Sequence, residues 1–197
     1  MKVYLIRHGQ SEANVKRMLA GCLDAPLTKN GKRQAAEVAR KLQGVRLDAI
    51  YSSDLQRAHH TALAIADGRD IGVTLRTGLR ERNFGEWEGR TFEEIQRDEP
   101  DAWARFLDPM EDSIPGAETR TALHQRVVAE YRDILSAYDL DADVNLCIVA
   151  HACVLMTLMS EIVYGDQSGY FRFEVQNSKV NMLEYVMKYP VIKAVNA

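Results

Sequence analysis

Long apolar runs are missing from this 197-residue chain. No stretch approaches the roughly 20 residues a helix needs to cross a bilayer, so no membrane-spanning role is expected. Blocks of basic residues are missing too. The chain has 25 Lys and Arg against 28 Asp and Glu, a net charge of −3, with no stripe of positive charge. Nucleic acid and membrane surfaces, which both call for concentrated positive charge, are therefore not expected as partners. Cysteine is scarce: Cys22, Cys147 and Cys153 are odd in number, and no pair has zinc-ligand spacing. A reducing, cytoplasmic compartment is expected. Cys147 and Cys153 sit in apolar company and read as small core residues, and nothing local supports Cys153 as a nucleophile. The chain has no internal repeat and no low-complexity tract. It enters a strand-like run almost at once, so no signal peptide is expected.

Hydrophobic residues make up 46% and charged residues 27%, which suits a packed core and a single domain over 1–197. Strand-like runs alternate with helical ones. Strands are expected at Lys2–Ile6, Asp48–Ser52, Val73–Arg76, Val144–Ala150, Tyr170–Val175 and Val180–Met187. The last two form a hairpin, with Phe171, Phe173 and Val175 alternating and Asn177-Ser178 turning the chain. Helices are expected at Thr28–Leu42, with Thr28 as N-cap, and at Asp54–Ala66, Ala117–Tyr138 and Ala152–Tyr164. Thr91–Leu107 reads as short helices broken near Pro100, and Ser113–Gly116 as a loop. The pattern predicts a three-layer α/β/α sandwich on a mixed, mostly parallel sheet of about six strands. A small helical cap insertion is expected at about 84–118. Exposed apolar residues near the closing strands, such as Tyr170 and Tyr189, would permit either a monomer or a homodimer.

In open parallel sheets, ligands bind beyond the carboxyl ends of the strands. Arg7 and His8 follow the first run. Ser53, Asp54 and then Arg57 follow the second, Glu81 comes shortly after the third, and His151 follows the fourth. Each has an ordinary reading alone: Arg57 could pair with Asp54, Glu81 could pair with a flanking arginine, and His151 could cap a helix. Their convergence on one sheet edge is the signal. His59, His60 and His124 lie on helices without partners at ligand spacing and read as structural.

Guanidinium groups match phosphate oxygens bidentately. Neutral imidazole is a nucleophile toward phosphorus, and a second, charged histidine would stabilise the transferring group. A carboxylic acid beside them could protonate a leaving alkoxide and later deprotonate water. The set fits phosphoryl transfer through a phosphohistidine, with no metal and no other cofactor. Gly9 would turn the chain sharply and bring backbone N–H groups near the phosphate.

These residues sit in stretches that resemble the histidine phosphatase (phosphoglycerate mutase-like) superfamily. LIRHGQSEAN resembles its RHG signature, LDAPLTKNGKRQA the segment joining the first strand to the first long helix, and IYSSDLQRAHHTA its S-x-L-x-R-A-x-x-T-A element. LRERNFGEWEG resembles its acid loop, IPGAET a cap segment, VAH the second histidine and FEVQNSKVNMLEY the closing hairpin. The stretches occur in family order and span nearly the whole chain. The resemblance implies His8 as nucleophile, Arg7 and Arg57 as phosphate clamps, His151 as the second histidine and Glu81 as general acid. It implies Asn14 as a phosphate ligand, Gln10 and Ser11 on the same loop as substrate contacts, and Glu118 shaping the cap. Ala152 stands where many members carry glycine, so its backbone N–H would meet the substrate beside an added methyl group.

The resemblance leaves three activities to compare. The short N-F-G-E-W-E-G acid loop favours a phosphomonoesterase acting on a small phosphorylated metabolite, such as α-ribazole-5′-phosphate or a sugar phosphate. The alternative is mutase-type phosphoryl transfer. A non-catalytic phosphate-binding protein ranks third, because none of the reactive residues is missing. Trp87, Trp103 and Phe106 would pack on an organic moiety of the substrate. Arg82 and Arg90 could add charge for a second anionic group, but read first as solvent-facing.

Overall fold

The computed structural model describes residues 1–108 and 114–197. Six strands form one sheet: β1 (Lys2–Arg7), β2 (Ala49–Ser52), β3 (Val73–Leu75), β4 (Asn145–Ala150), β5 (Val180–Val186) and β6 (Tyr189–Ala194). Their spatial order is β3-β2-β4-β1-β5-β6. β1, β4, β2 and β3 run parallel, and β5 and β6 complete the sheet antiparallel. This is the expected mixed sheet.

Both faces of the central strands are covered, so they read as nearly continuous apolar runs. Val3 and Leu5 of β1 face α6 (Arg120–Ser136) and α7 (Ala152–Tyr164), meeting Leu123, Val127, Leu155 and Leu158. Tyr4 and Ile6 face the opposite way, toward Val38 and Leu42 of α2 (Lys29–Leu42) and Ala58 and Ile65 of α3 (Gln56–Ala66). The three layers follow from this alternation. Thr28 caps α2 as expected, its side chain accepting from Gly31 N–H. One element the sequence reading passed over is a single turn, α1 (Glu12–Val15), closed by a reciprocal Ser11–Asn14 capping box.

Between β3 and α6 lie α4 (Phe92–Asp98) and α5 (Pro100–Leu107), with Pro100 opening the second helix. They build a separate small core from Leu19, Phe84, Trp87, Ile95 and Ile114. Pro115 and Gly116 form the expected turn, while Ser113 of that loop lies outside the described residues.

The closing hairpin differs from expectation. Tyr170–Arg172 is a turn of 3-10 helix, residues 173–176 are irregular, and the hairpin is β5–β6. β5 occupies the edge of β1 that an earlier strand would need. Tyr170 is buried rather than exposed, whereas Tyr189 is 75% exposed. Asn177 and Ser178 do turn the chain. Ser178 has φ of 52° and donates its N–H to Arg7 O at 2.8 Å.

Candidate active site

β1 ends at the carboxyl edge of the sheet and delivers Arg7 and His8 there. His8 N–H donates to Ala150 O at 3.0 Å, continuing the β1–β4 ladder by one residue. The His8 Nδ1 atom lies 2.7 Å from Gly9 O. A carbonyl can only accept, so the proton sits on Nδ1 and the lone pair on Nε2. The ring is 4% exposed. Burial, then the Arg57 and Arg7 charges, hold its pKa well below the ordinary 6.5, with the Gly9 hydrogen bond opposing them. His8 is therefore neutral at pH 7.

Gly9 has a different role from the one expected. Its N–H donates to Thr61 Oγ1 at 3.1 Å and so is not offered to an anion. A Cβ there would come within 2.4 Å of Gly31 O. The glycine is needed for the close approach of this turn to the first turn of α2.

Arg57 does not pair with Asp54, which binds Arg80 instead. It is 1% exposed and reaches across to the loop after α1, donating to Gly21 O at 2.7 Å and Leu23 O at 2.8 Å. Two backbone carbonyls thus aim the guanidinium without neutralising it. Arg7 is held in the same way, donating from Nη1 to Val175 O at 2.7 Å, while its buried Nε has no partner among the described residues.

His151 is the N-cap of α7 and is fully buried, its ring centroid 5.1 Å from that of His8. Nε2 lies 2.8 Å from Ser53 Oγ, and Nδ1 has no partner among the described residues. Burial, then Arg57, His8 and Arg7, push its pKa well below 6.5. In the free protein His151 is therefore neutral, not the charged group the sequence reading assigned. Glu81 is 9% exposed and is no solvated ion pair. Its Oε1 accepts from Arg82 N–H at 3.0 Å and its Oε2 from Cys153 N–H at 3.4 Å. Cys153 is a neutral thiol, its pKa raised chiefly by burial.

Arg7, His8, Ser11, Asn14, Arg57 and Glu81 line a cavity of about 230 Å³, and Ala152 also lines it. Asn14 Oδ1 accepts from Ser11 N–H at 2.9 Å, leaving the amide N–H₂ as the polar end available to the cavity. Gln10 does not line it. Its Oε1 accepts from Thr28 Oγ1 at 2.9 Å and Asn30 Nδ2 at 3.3 Å, so the side chain braces the start of α2. Trp87 does not line the cavity either. It is fully buried and donates Nε1–H to Glu99 Oε2 at 3.0 Å. Arg82 is also buried, against the expectation for it, and Arg90 pairs with Glu99 and Asp98. Glu118 forms a two-pronged pair with Arg126 at 2.7 and 2.8 Å, and its N–H donates to Asn83 O, tying the acid loop to α6.

Sequence reasoning did not single out Ser53 as the partner of His151, although it stands directly after β2. It also did not single out Met18, Met156 or Phe171 as cavity walls. Apolar side chains carry no chemical signature, and Phe171 was hidden by its place in an apparent strand. Among the described residues no three His, Cys, Asp or Glu side chains gather as metal ligands.

The arrangement juxtaposes a neutral imidazole with a free lone pair, two uncompensated guanidinium groups, a second imidazole and one carboxyl group. The family model of the histidine phosphatase superfamily (branch 1) matches residues 3–197. The adenosylcobalamin/alpha-ribazole phosphatase of Salmonella typhimurium is 28% identical over all of this chain and 96% of its own length. Among solved structures, the phosphoserine phosphatase of Entamoeba histolytica in complex with 3-phosphoglyceric acid is 31% identical. It superposes with a TM-score of 0.85, covering 100% of this chain and 96% of that one. A mycobacterial glucosyl-3-phosphoglycerate phosphatase in complex with VO3 is 26% identical with a TM-score of 0.88, covering 100% and 98%.

Proposed function

The chain belongs to the histidine phosphatase superfamily, branch 1, and on that premise we propose that it is a metal-independent phosphomonoesterase acting through a phosphohistidine. The observation that carries this reading is the 2.7 Å contact between His8 Nδ1 and Gly9 O, which leaves Nε2 unprotonated on a ring that lines the same cavity as Arg7 and Arg57.

In the first step His8 Nε2 attacks phosphorus and the bond to the ester oxygen breaks. Glu81, protonated, gives its proton to the departing oxygen, so an alcohol leaves. In the second step Glu81, now a carboxylate, takes a proton from water as the water oxygen attacks phosphorus. The P–N bond breaks, and inorganic phosphate and free His8 result. Arg7, Arg57 and the Asn14 amide hold the three equatorial oxygens, where charge accumulates. His151 joins them in the tautomer in which the Ser53 hydroxyl donates to Nε2, because Nδ1–H then becomes a donor to the phosphoryl group. A bound dianion also offsets the Arg57 and Arg7 charges that depress the His151 pKa, so His151 gains proton affinity as substrate arrives. A divalent cation would find two guanidinium groups and a single carboxylate here, a poor donor set.

Residues 84–118 act as the cap over this site within a single domain, and the substrate is a small phosphorylated metabolite. α-Ribazole-5′-phosphate and sugar phosphates are the named options. The relatives differ in substrate on one fold, so the fold alone does not choose. The acid loop is the short N-F-G-E-W-E-G, without the longer insertion a mutase would carry, which sets this reading above mutase-type transfer.

The test is brief incubation with a ³²P-labelled aryl phosphate in EDTA, followed by acid quench and alkaline quench. Wild-type protein should carry a base-stable, acid-labile label, and His8→Ala should carry none and lose at least about 10³-fold in turnover. An acid-stable label, or one that needs added Mg²⁺, would count against the scheme.

A further inference from the structure

The cavity has two unlike kinds of lining. Among the described residues that line it, the charged side chains are Arg7, Arg57 and Glu81, which join His8 there. Much of the remaining lining is apolar, made by Met18, Phe92, Trp103, Phe106, Met156 and Phe171, and four of these are rings in contact with one another. A ligand whose phosphoryl group reaches His8 presents its remaining atoms to that wall. Resting on the phosphatase reading above, we infer that the substrate is the phosphate monoester of an apolar, ring-bearing alcohol with no second anionic group.

Three observations support this class. The first is the absence, among the described residues lining the cavity, of any cation beyond Arg7 and Arg57. A carboxylate on the leaving group would be desolvated against rings and thioethers, and would face Glu81 as the nearest charged side chain not already holding phosphate. Burying an unpaired carboxylate is costly.

The second is rigidity. Trp103 stacks at a tilt on Phe106 at 5.4 Å and on Phe92 at 5.8 Å, and Phe106 meets Phe171 edge-on at 6.5 Å. Behind the rings stand two buried arginines. Arg82 lies 5.5 Å from the Phe84 centroid and 5.9 Å from that of Phe106, and its Nε donates to Glu118 O at 2.8 Å. Arg120 lies 5.0 Å from the Phe171 centroid and 6.0 Å from that of Phe106, and its Nη1 donates to Asp108 O at 2.7 Å. Neither arginine lines the cavity, so these cations brace the wall and are not offered to a ligand. The wall is therefore fixed before substrate arrives, which favours a flat group over a flexible one.

The third is size. An apolar cavity of about 150 Å³ suffices for benzene. The 230 Å³ here accommodates a ring beside the phosphoryl group. Phe171 is still 40% exposed and so has apolar surface left to bury.

The test compares esters of primary alcohols, so that leaving-group chemistry is matched. Benzyl phosphate and the ethyl, butyl and hexyl phosphates are set against 3-phosphoglycerate and phosphoserine, with kcat/KM for phosphate release as readout. Benzyl phosphate should exceed both carboxylate-bearing esters on the order of 100-fold, and kcat/KM should rise roughly fourfold per methylene along the alkyl series. Phe171→Ala should lower the benzyl-to-phosphoserine ratio about tenfold. In parallel, calorimetry should show benzylphosphonate binding at least about tenfold more tightly than phosphonoacetate. Hydrolysis of 3-phosphoglycerate or phosphoserine as fast as benzyl phosphate overturns the substrate class and leaves the phosphatase reading standing. No hydrolysis of any ester, with the phosphonate preference intact, overturns the phosphatase reading and leaves the ligand class standing. Loss of both overturns both.

Discussion

The two imidazoles set the chemistry and also tie stability to pH. His8 and His151 are kept neutral in the folded protein by burial and by the neighbouring guanidinium charges, with pKa values well below 6.5. In the unfolded chain each titrates near 6.5. As pH falls through that value the unfolded state takes up protons that the folded state refuses, so stability falls. The loss continues until the folded pKa is reached, at up to about 1.4 kcal/mol per histidine per pH unit. Urea midpoints measured from pH 7.5 to 5.5 should therefore drop, and the slope should be visibly shallower in a His8→Ala/His151→Ala double variant. Equal slopes in the two proteins would mean that these rings titrate freely. The same residues show what a sequence can and cannot carry at this scale. Arg7, His8, Arg57, Glu81 and His151 were legible because each follows an apolar run that becomes a strand or leads to the same sheet edge. The neutral state of His151 was not legible, because it depends on burial and on two arginines brought close only by folding.

At the scale of elements, the loop between α1 and α2 acts as a bracket for Arg57, and Gly21 is its tight point. Gly21 has φ of +49°, and its carbonyl receives Arg57 Nη2. A Cβ there would lie 2.0 Å from Glu88 Oε1, the same oxygen that accepts from Cys22 N–H at 2.9 Å and Phe84 N–H at 3.1 Å. One methyl group would thus strain the backbone and displace the carboxylate that ties this loop to the acid loop. Gly21→Ala should cost about 1–3 kcal/mol of stability and should raise KM for an aryl phosphate, since it disturbs the Arg57 clamp. Gly44→Ala is the control. Nothing lies within 4 Å of its Cβ position and its φ is ordinary, so that variant should be neutral or slightly more stable. If Gly21→Ala matched Gly44→Ala in both urea midpoint and KM, the bracket would have no functional weight. Elements also mark where periodicity misled. The alternation Phe171, Phe173, Val175 imitates a strand, but these side chains pack one by one and the adjacent sheet edge is already filled by β5. β6 escaped notice because its hairpin turns at Met187 and Lys188, both at positive φ (50° and 67°), without the Asn or Gly that usually signals such a turn.

For the whole molecule, the site is a place where folding concentrates positive charge. Arg7 and Arg57 are buried against backbone carbonyls, and burial lowers the pKa of both. Among the described residues no carboxylate forms an ion pair with either, and Glu81 acts on both only at a distance. This arrangement is unfavourable for the free protein and is the natural complement of a tetrahedral dianion, so ligand binding and fold stability draw on the same two charges. The groups involved come from β1, α3, α7 and the acid loop, so an anion that binds them also links both helical layers across the sheet. Orthovanadate or phosphate at about 100 times its Kd should stabilise the fold by about 2.7 kcal/mol, which in a domain of this size is a rise in Tm of about 5–10 °C. Sulfate should act in the same direction. Arg57→Ala should remove most of the ligand-induced rise while leaving a cooperative transition, because the carbonyls it frees at Gly21 and Leu23 can turn to solvent. Scanning calorimetry of both proteins, with and without the oxyanion, decides the matter. A wild-type Tm that does not respond to the anion, or an undiminished response in Arg57→Ala, would mean that the charge gathered at the carboxyl edge of the sheet is not an anion site.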